Sequence, residues 1–210
     1  MSKQKLVIVF TVLLDAIAVG VIVPIFPFYA ESFGASPRMV MLLFSIYFIC
    51  SFFSTPFLGA LSDRIGRRPV MIVSILSTAI GWFVFASAQS LWMLFAGRVM
   101  DGIAAGSIST AQSYMTDIST SSKERTRNLG LIGAMFGIGF VVGPVIGGFM
   151  GHFSHSLPFW FGGFLSLFNA LLAYLFLKET NTKLDVGRRF EFTPWRPFRR
   201  AFQNKALIPT

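Results

Sequence analysis

The stretch that decides how this chain is organised reads Gly59-Ala60-Leu61-Ser62-Asp63-Arg64-Ile65-Gly66-Arg67-Arg68-Pro69-Val70. It places one acid, three arginines and two glycines between two apolar runs, residues 40–62 and 69–97, that carry no formal charge. Each run is long enough to cross a bilayer, because a membrane-spanning helix needs about 20 apolar residues. Residues 63–68 therefore predict a tight, basic turn between two membrane helices.

The composition supports a membrane protein. The chain is 54% hydrophobic, has a mean hydropathy of +0.67 and is only 13% charged, about half the charged share of an ordinary soluble protein. A net charge of +9 would suggest nucleic acid as a partner for a soluble protein. Here the basic residues lie between apolar runs, so we expect no nucleic-acid partner and interpret the charge as a determinant of membrane orientation.

Apolar runs predict an all-α membrane protein with six transmembrane helices, at about residues 6–27, 38–61, 69–88, 91–116, 129–150 and 158–177. Residues 1–178 form this six-helix unit. Residues 179–210 form a basic segment with interspersed aromatic residues, which either lies on the anionic inner leaflet or is a solvated linker. An even number of helices places both termini on one side. Most of the 18 lysines and arginines fall on that side, so we expect both termini to be cytoplasmic.

Three charged residues, Asp15, Arg98 and Asp101, fall near the middle of predicted membrane helices. Charges at that depth are costly to bury, so they usually face protein or a water-filled cavity. A carboxylate that meets water from alternate sides can carry a proton, so the functional interpretation is a proton-coupling site. The alternative is an Arg98–Asp101 or Arg98–Asp15 pair that only holds helices together.

Polar side chains continue along the fourth predicted helix. Asp101, Ala105, Ser109 and Gln112 fall on one face if the helix is continuous. This face predicts either the lining of a substrate cavity, with Asp15, Ser109 and Gln112 in it, or a helix-packing surface.

The fifth predicted helix is rich in glycine around Pro144. Gly139, Gly143 and Gly147 have the spacing that lets another helix approach closely, and Gly148 follows directly. Pro144 lacks a backbone donor and should bend the helix. The pattern Pro-x-x-Gly occurs here and at residues 56–59 in the second helix, three helices earlier. It indicates two inverted three-helix repeats, with chance similarity as the alternative.

Three motifs carry a resemblance to a known family. The pattern Gly-x-Leu-Ser-Asp-Arg-x-Gly-Arg-Arg-Pro resembles the loop between the second and third helices of major facilitator superfamily transporters. Arg98-x-x-x-Gly102-x-x-x-Gly106 is similar to the family's fourth-helix motif. The string from Gly139 to Gly148 looks like the antiporter signature of its drug:proton exporters, and Asp15 with Pro24 and Pro27 looks like the first helix of the tetracycline exporters.

The resemblance spans residues 6–179 and implies the amino-terminal six-helix half of a twelve-helix fold. It implies that Asp63 holds a cytoplasmic gate against the other half, that Arg67 pairs with Asp117, and that Arg98 takes part in proton coupling. Many relatives have an uncharged polar residue in place of Asp101. The full set of expected gate residues is Gly59, Asp63, Arg64, Gly66, Arg67, Arg68 and Asp117.

The function implied is proton-coupled export of small amphipathic compounds by alternating access, through a bacterial inner membrane. The expected partners are the bilayer, the substrate, protons, and a missing carboxyl-terminal half or a second copy. The alternatives are a same-fold importer or uniporter of a sugar or metabolite, and a non-transporting half that only assembles with a partner. We expect no enzyme activity, cofactor or metal, since His152 and His155 have no acid or cysteine nearby in the sequence.

Overall fold

The computed structural model describes residues 3–181. In this part of the chain the helices, in order, are α1 Lys3–Ile22, α2 Phe26–Glu31, α3 Pro37–Ile65, α4 Arg67–Ala86, α5 Leu91–Ile103, α6 Ser107–Asp117, α7 Ser122–Phe153 and α8 Leu157–Phe176. Six stretches are long and apolar enough to cross a membrane, with α5 and α6 together forming one of them. The prediction of an all-α, six-span membrane protein is confirmed. Most of the predicted basic segment, residues 182–210, lies outside the described residues.

The first span is shorter than predicted. Its helix ends at Ile22, and the chain resumes as the short helix α2 rather than continuing to residue 27. Pro24 and Pro27 explain the break, because a proline lacks a backbone donor and disfavours the helical conformation of the residue before it. Pro27 is instead accommodated in the first turn of α2, where its missing N–H costs nothing.

The fourth span is broken at residues 104–106, between α5 and α6. Two hydroxyl groups of α3 satisfy carbonyls at the break: Ser54 Oγ donates to the Gly102 oxygen at 2.7 Å, and Thr55 Oγ1 donates to the Ala105 oxygen at 3.0 Å. Such compensation is what permits an irregular backbone at membrane depth. The expectation of one continuous polar face from Asp101 to Gln112 is wrong, because the helical register is lost at the break.

Two clusters of apolar side chains form the interior of the bundle. One cluster gathers around α2, with the aromatic residues Phe26, Trp82, Phe85 and Phe159 at its centre. The other joins α1, α4, α6, α7 and α8. It includes Tyr114, whose hydroxyl donates to the Lys178 oxygen at 2.7 Å. Together they fix α1 in the middle of the bundle.

The spans differ in how much of their surface the chain covers. In the most apolar window of α3 only 11% of residues are buried, and in α7 17%, against 61% in α1. The exposed side chains of α3 include Phe48, Phe52 and Phe53. Within the described residues, α3 and α7 therefore present the widest apolar faces that no other helix covers.

Candidate functional site

The basic turn between α3 and α4 is a single residue. Helix α3 extends to Ile65 and α4 begins at Arg67, so only Gly66 lies outside a helix. Gly66 has φ of +110°, a conformation that favours glycine. The predicted turn at residues 63–68 is thus tighter than expected, because helical structure takes in its charged residues on both sides.

Arg67 joins three elements at this turn. Its Nε donates to Asp117 Oδ2 at 3.0 Å, which links α4 to the end of α6. Its Nη1 donates to the Ser62 hydroxyl at 2.7 Å, and its Nη2 lies 2.5 Å from Asp63 Oδ1, both on α3. The guanidinium is largely buried. The Arg67–Asp117 pairing implied by the resemblance is present, and the side chain of Asp63 remains 58% exposed.

Glu179 completes the turn, although no pattern in the sequence indicated this role. Its Oε1 accepts from the backbone N–H of Arg67 at 2.9 Å, and its Oε2 from that of Arg68 at 3.0 Å. These donors belong to the first turn of α4 and have no partner within their own helix. The amide of Asn181 also donates to the Asp63 carbonyl at 2.6 Å. Hydrogen bonds therefore hold residues 179–181, which follow α8, against the turn.

The other expected gate residues contribute less to this cluster. Gly59 lies on α3, and a Cβ there would meet nothing within 4 Å. Arg64 lies in the last turn of α3 and is half-buried. Arg68 points toward α8, where its Nη2 donates to the Tyr174 carbonyl at 2.6 Å. The structure brings Asp63, Gly66, Arg67 and Asp117 together but not Gly59.

Asp15 lies in the buried interior of α1, and its partner is the hydroxyl of Ser107, which donates to Oδ2 at 2.7 Å. Ser107 is the first residue of α6, directly after the break in the fourth span. The amino-terminal end of a helix carries a partial positive charge. Asp15 is therefore held at the start of a half-helix, an arrangement that sequence spacing alone could not reveal.

Arg98 and Asp101 are both buried, with Nη1 of the arginine 3.9 Å from Oδ2 of the aspartate. Of the two pairs proposed from the sequence, the structure contains this one. Aromatic rings surround the guanidinium at 4.0–5.8 Å from its carbon to the ring centres, and they belong to Phe26, Phe44, Tyr47, Trp82 and Phe85. Cation–π attraction of this kind stabilises a desolvated arginine.

The residues expected in a substrate cavity do not form one group in this half. Ser109 is half-buried and donates to the Gly106 carbonyl at 3.1 Å, while Gln112 is exposed. Ser109 and Gln112 share a face of α6 by their spacing, and Ser107 lies on a different one. Within the described residues no hydrogen bond links either side chain to Asp15.

The glycines of α7 divide into two sets. A Cβ at Gly139, Gly143 or Gly147 would collide with the backbone or Cβ of α1, at Ala16, Gly20 and Val21 respectively. A Cβ at Gly148 would meet nothing within 4 Å. Helix α7 continues through Pro144 to Phe153. The glycine string thus builds a close contact between α1 and α7, and Gly148 is not part of it.

The model of the Major Facilitator Superfamily matches residues 8–209. The chain belongs to this superfamily. Superfamily members are transporters, so the chain is not an enzyme. The resemblance drawn from the turn, the fourth-helix motif and the glycine string is confirmed.

Several relatives within the superfamily are named for drug resistance. The chain is 35% identical over 194 residues to the tetracycline resistance protein, class B, of Escherichia coli, covering 89% of this chain and 48% of that protein. It is 27% identical over 187 residues to the quinolone resistance protein NorA of Staphylococcus aureus (strain N315), covering 89% and 48%. The chain spans about half the length of the curated relatives it matches.

A solved superfamily structure shares the fold. The crystal structure of the human organic anion transporter MFSD10 (TETRAN) superposes with a TM-score of 0.76 at 25% identity, covering 85% of this chain and 48% of that one. The chain therefore has the architecture of half of such a transporter.

Proposed function

We propose that this chain is the amino-terminal half of a proton-coupled exporter of small amphipathic compounds that works by alternating access with a second half. The names of the relatives, which include tetracycline and quinolone resistance proteins, support the class of substrate. The second half is either a carboxyl-terminal six-helix unit or a second copy of this chain. The wide uncovered apolar faces of α3 and α7 support a partner as large as a six-helix unit.

The observation that carries the proposal is the position of Asp15. This carboxylate lies in a membrane span and receives a hydrogen bond from Ser107 at the start of α6, where the fourth span is broken. Broken spans whose half-helix ends point at charged groups are a recurrent device of ion-coupled transporters. Burial disfavours the charged form of Asp15, while the Ser107 hydroxyl and the helix end favour it. Because these influences oppose each other, Asp15 is suited to release a proton and take it up again when its surroundings change.

The gate is proposed to lie at the turn between α3 and α4. Arg67 links α3, α4 and α6 through contacts with Ser62, Asp63 and Asp117. The exposed face of Asp63 is free to contact a second half. Opening and closing of the transporter at this end would then depend on the contacts between this cluster and the second half. Within the cluster, Arg67 already holds the three helices in contact.

We propose that this end of the bundle faces the cytoplasm of a bacterial cell. The start of α1 meets the start of α7 here through the ion pair of Lys5 and Glu124, and the turn with Arg67 and Arg68 lies at the same end. A concentration of basic residues on one side supports a cytoplasmic location. Bacterial relatives support the inner (cell) membrane as the site.

The test is transport by the complete transporter in proteoliposomes with an imposed proton gradient and tetracycline as the probe. Asp15→Asn should abolish gradient-driven movement of tetracycline while membrane insertion is retained, because an amide cannot carry the proton. Glu31→Gln removes an exposed acid on α2 and serves as the matched control. Gradient-driven export by Asp15→Asn at the wild-type rate would refute the coupling role. Tetracycline movement that ignores the gradient in the wild-type protein would favour a uniporter instead.

A further inference from the structure

An apolar groove of about 470 Å³ lies on the surface between α4 and α8. Aliphatic and aromatic side chains line it, among them Ile72 and Leu76 from α4 and Phe164, Leu171 and Tyr174 from α8. We refer to it as the α4–α8 groove. Most of its walls are exposed: Phe164, Leu171 and Tyr174 each leave more than half of their surface uncovered. The groove is separate from Asp15, Arg98 and the gate cluster.

Arg68 closes one end of the α4–α8 groove. It lies one turn before Ile72 on α4, its Nη2 donates to the Tyr174 carbonyl at 2.6 Å, and its guanidinium carbon lies 5.4 Å from the centre of the Tyr174 ring. Its Nε has no hydrogen-bond partner within the described residues, and no carboxylate there lies within 4.0 Å of the guanidinium. Among the donors of Arg68, Glu179 accepts from the backbone N–H and not from the guanidinium. The groove therefore ends in a guanidinium that forms no ion pair with any carboxylate of the described residues.

The length of the groove matches one leaflet of a bilayer. The ten residues that separate Phe164 from Tyr174 extend about 15 Å along α8, with Arg68 at the end where the turn between α3 and α4 lies. The hydrocarbon core of a bilayer is about 30 Å thick, so one leaflet contributes about 15 Å. An acyl chain that starts beside Arg68 and runs to Phe164 would fill the groove without crossing the bilayer midplane.

We propose that the α4–α8 groove binds phosphatidylglycerol, with one acyl chain along the groove and the anionic phosphate on Arg68. The lipid would come from the leaflet on the side of the α3–α4 turn. Charge complementarity selects this occupant, because an apolar protein surface packed into the groove would leave the Arg68 guanidinium without an anion. A zwitterionic phospholipid would fill the groove equally well but would gain less from Arg68, since its headgroup carries no net charge.

The experiment is native mass spectrometry of the purified protein in detergent, with dioleoyl phosphatidylglycerol and dioleoyl phosphatidylcholine added at equal concentration. We expect phosphatidylglycerol to be retained in preference. Arg68→Gln should reduce its retention about fivefold, the loss expected for one basic residue facing an anionic lipid. Arg127→Gln is the matched control, since it removes an exposed arginine from the start of α7, outside the groove.

A second pair of variants tests the groove while Arg68 is intact. Leu171→Trp should block the acyl chain and lower phosphatidylglycerol retention. Val73→Trp introduces the same side chain at an exposed position of α4 that does not line the groove, and it should leave retention unchanged. Equal retention of the two lipids by the wild type, or no difference between Arg68→Gln and Arg127→Gln, would overturn the proposal. The spectra would also overturn the proposal if the wild type formed a dimer without bound lipid and Leu171→Trp dissociated that dimer. The groove would then bind a second copy of the chain.

Discussion

The contact between α1 and α7 offers a quantitative test at Gly143. A Cβ at this position would lie 2.6 Å from both the Cα and the carbonyl carbon of Gly20. Carbon atoms in ordinary contact are about 3.5 Å apart or more, so Gly143→Ala requires the helices to separate by about 1 Å. The atoms in the way are backbone atoms, which cannot rotate aside. The cost therefore falls in the range for overpacking a tight contact, about 1–3 kcal/mol.

Gly148→Ala is the matched control, because it lies on the same helix and its Cβ would meet nothing within 4 Å. Both variants replace glycine by alanine inside a helix, which by itself favours the helix by about 1 kcal/mol. That gain is smaller at Gly143, because a Cβ there also meets the ring of the following Pro144. Gly20→Ala, which no proline follows, separates this effect from the contact between the helices. Gly143→Ala should then be about 1–3 kcal/mol less stable than Gly148→Ala.

The measurement is unfolding of the purified protein in detergent, followed by tryptophan fluorescence as denaturant is added. Gly20→Ala should lose stability as Gly143→Ala does, since its Cβ would lie 2.8 Å from the Gly139 carbonyl oxygen. Equal stability of Gly143→Ala and Gly148→Ala would refute the close approach of α1 and α7. A Gly143→Ala variant more stable than the wild type would refute it as well.

Two further predictions concern the turn between α3 and α4. Glu179→Gln leaves one acceptor oxygen for two backbone donors and removes a negative charge from the start of α4, so we expect it to destabilise this first turn by about 1 kcal/mol. Hydrogen exchange of the Arg67 and Arg68 amides should quicken, and unchanged exchange would contradict this account. Asp117→Asn removes a partly exposed ion pair worth about 0.2–1 kcal/mol. The melting temperature of the variant should fall less with added salt than that of the wild type, and identical salt dependence would show that the pair contributes nothing.

The sequence predicted those features that follow from short-range spacing. Apolar runs bounded by charges located the six spans, because length and hydropathy suffice for a membrane helix. The four-residue spacing of Gly139, Gly143 and Gly147 predicted one packing face, and the structure places these residues against α1. Gly148 shares the composition of that string but not its spacing, and it faces open space.

Features that depend on distant parts of the chain escaped prediction. Gly102, Gly106 and Ser107 are weak signals of a break, since small residues also mark helix packing. The hydroxyls that satisfy the freed carbonyls belong to Ser54 and Thr55 on another helix. The aromatic surroundings of Arg98 have the same origin, since the rings come from α2, α3 and α4. Residue types at these positions are those of any apolar helix, so only the fold reveals their role.

The carboxylate of Glu179 has a mechanical consequence. The segment that follows α8 cannot move away from the bundle without breaking the hydrogen bonds of two backbone N–H groups at the start of α4. Asn181 adds a second fastening on α3 through the Asp63 carbonyl. The connection between α3 and α4 is the single residue Gly66. A force applied to the chain after residue 181 would therefore act on one residue rather than on a longer loop. Tension on that segment and the angle between α3 and α4 are thereby coupled through the side chains of Glu179 and Asn181.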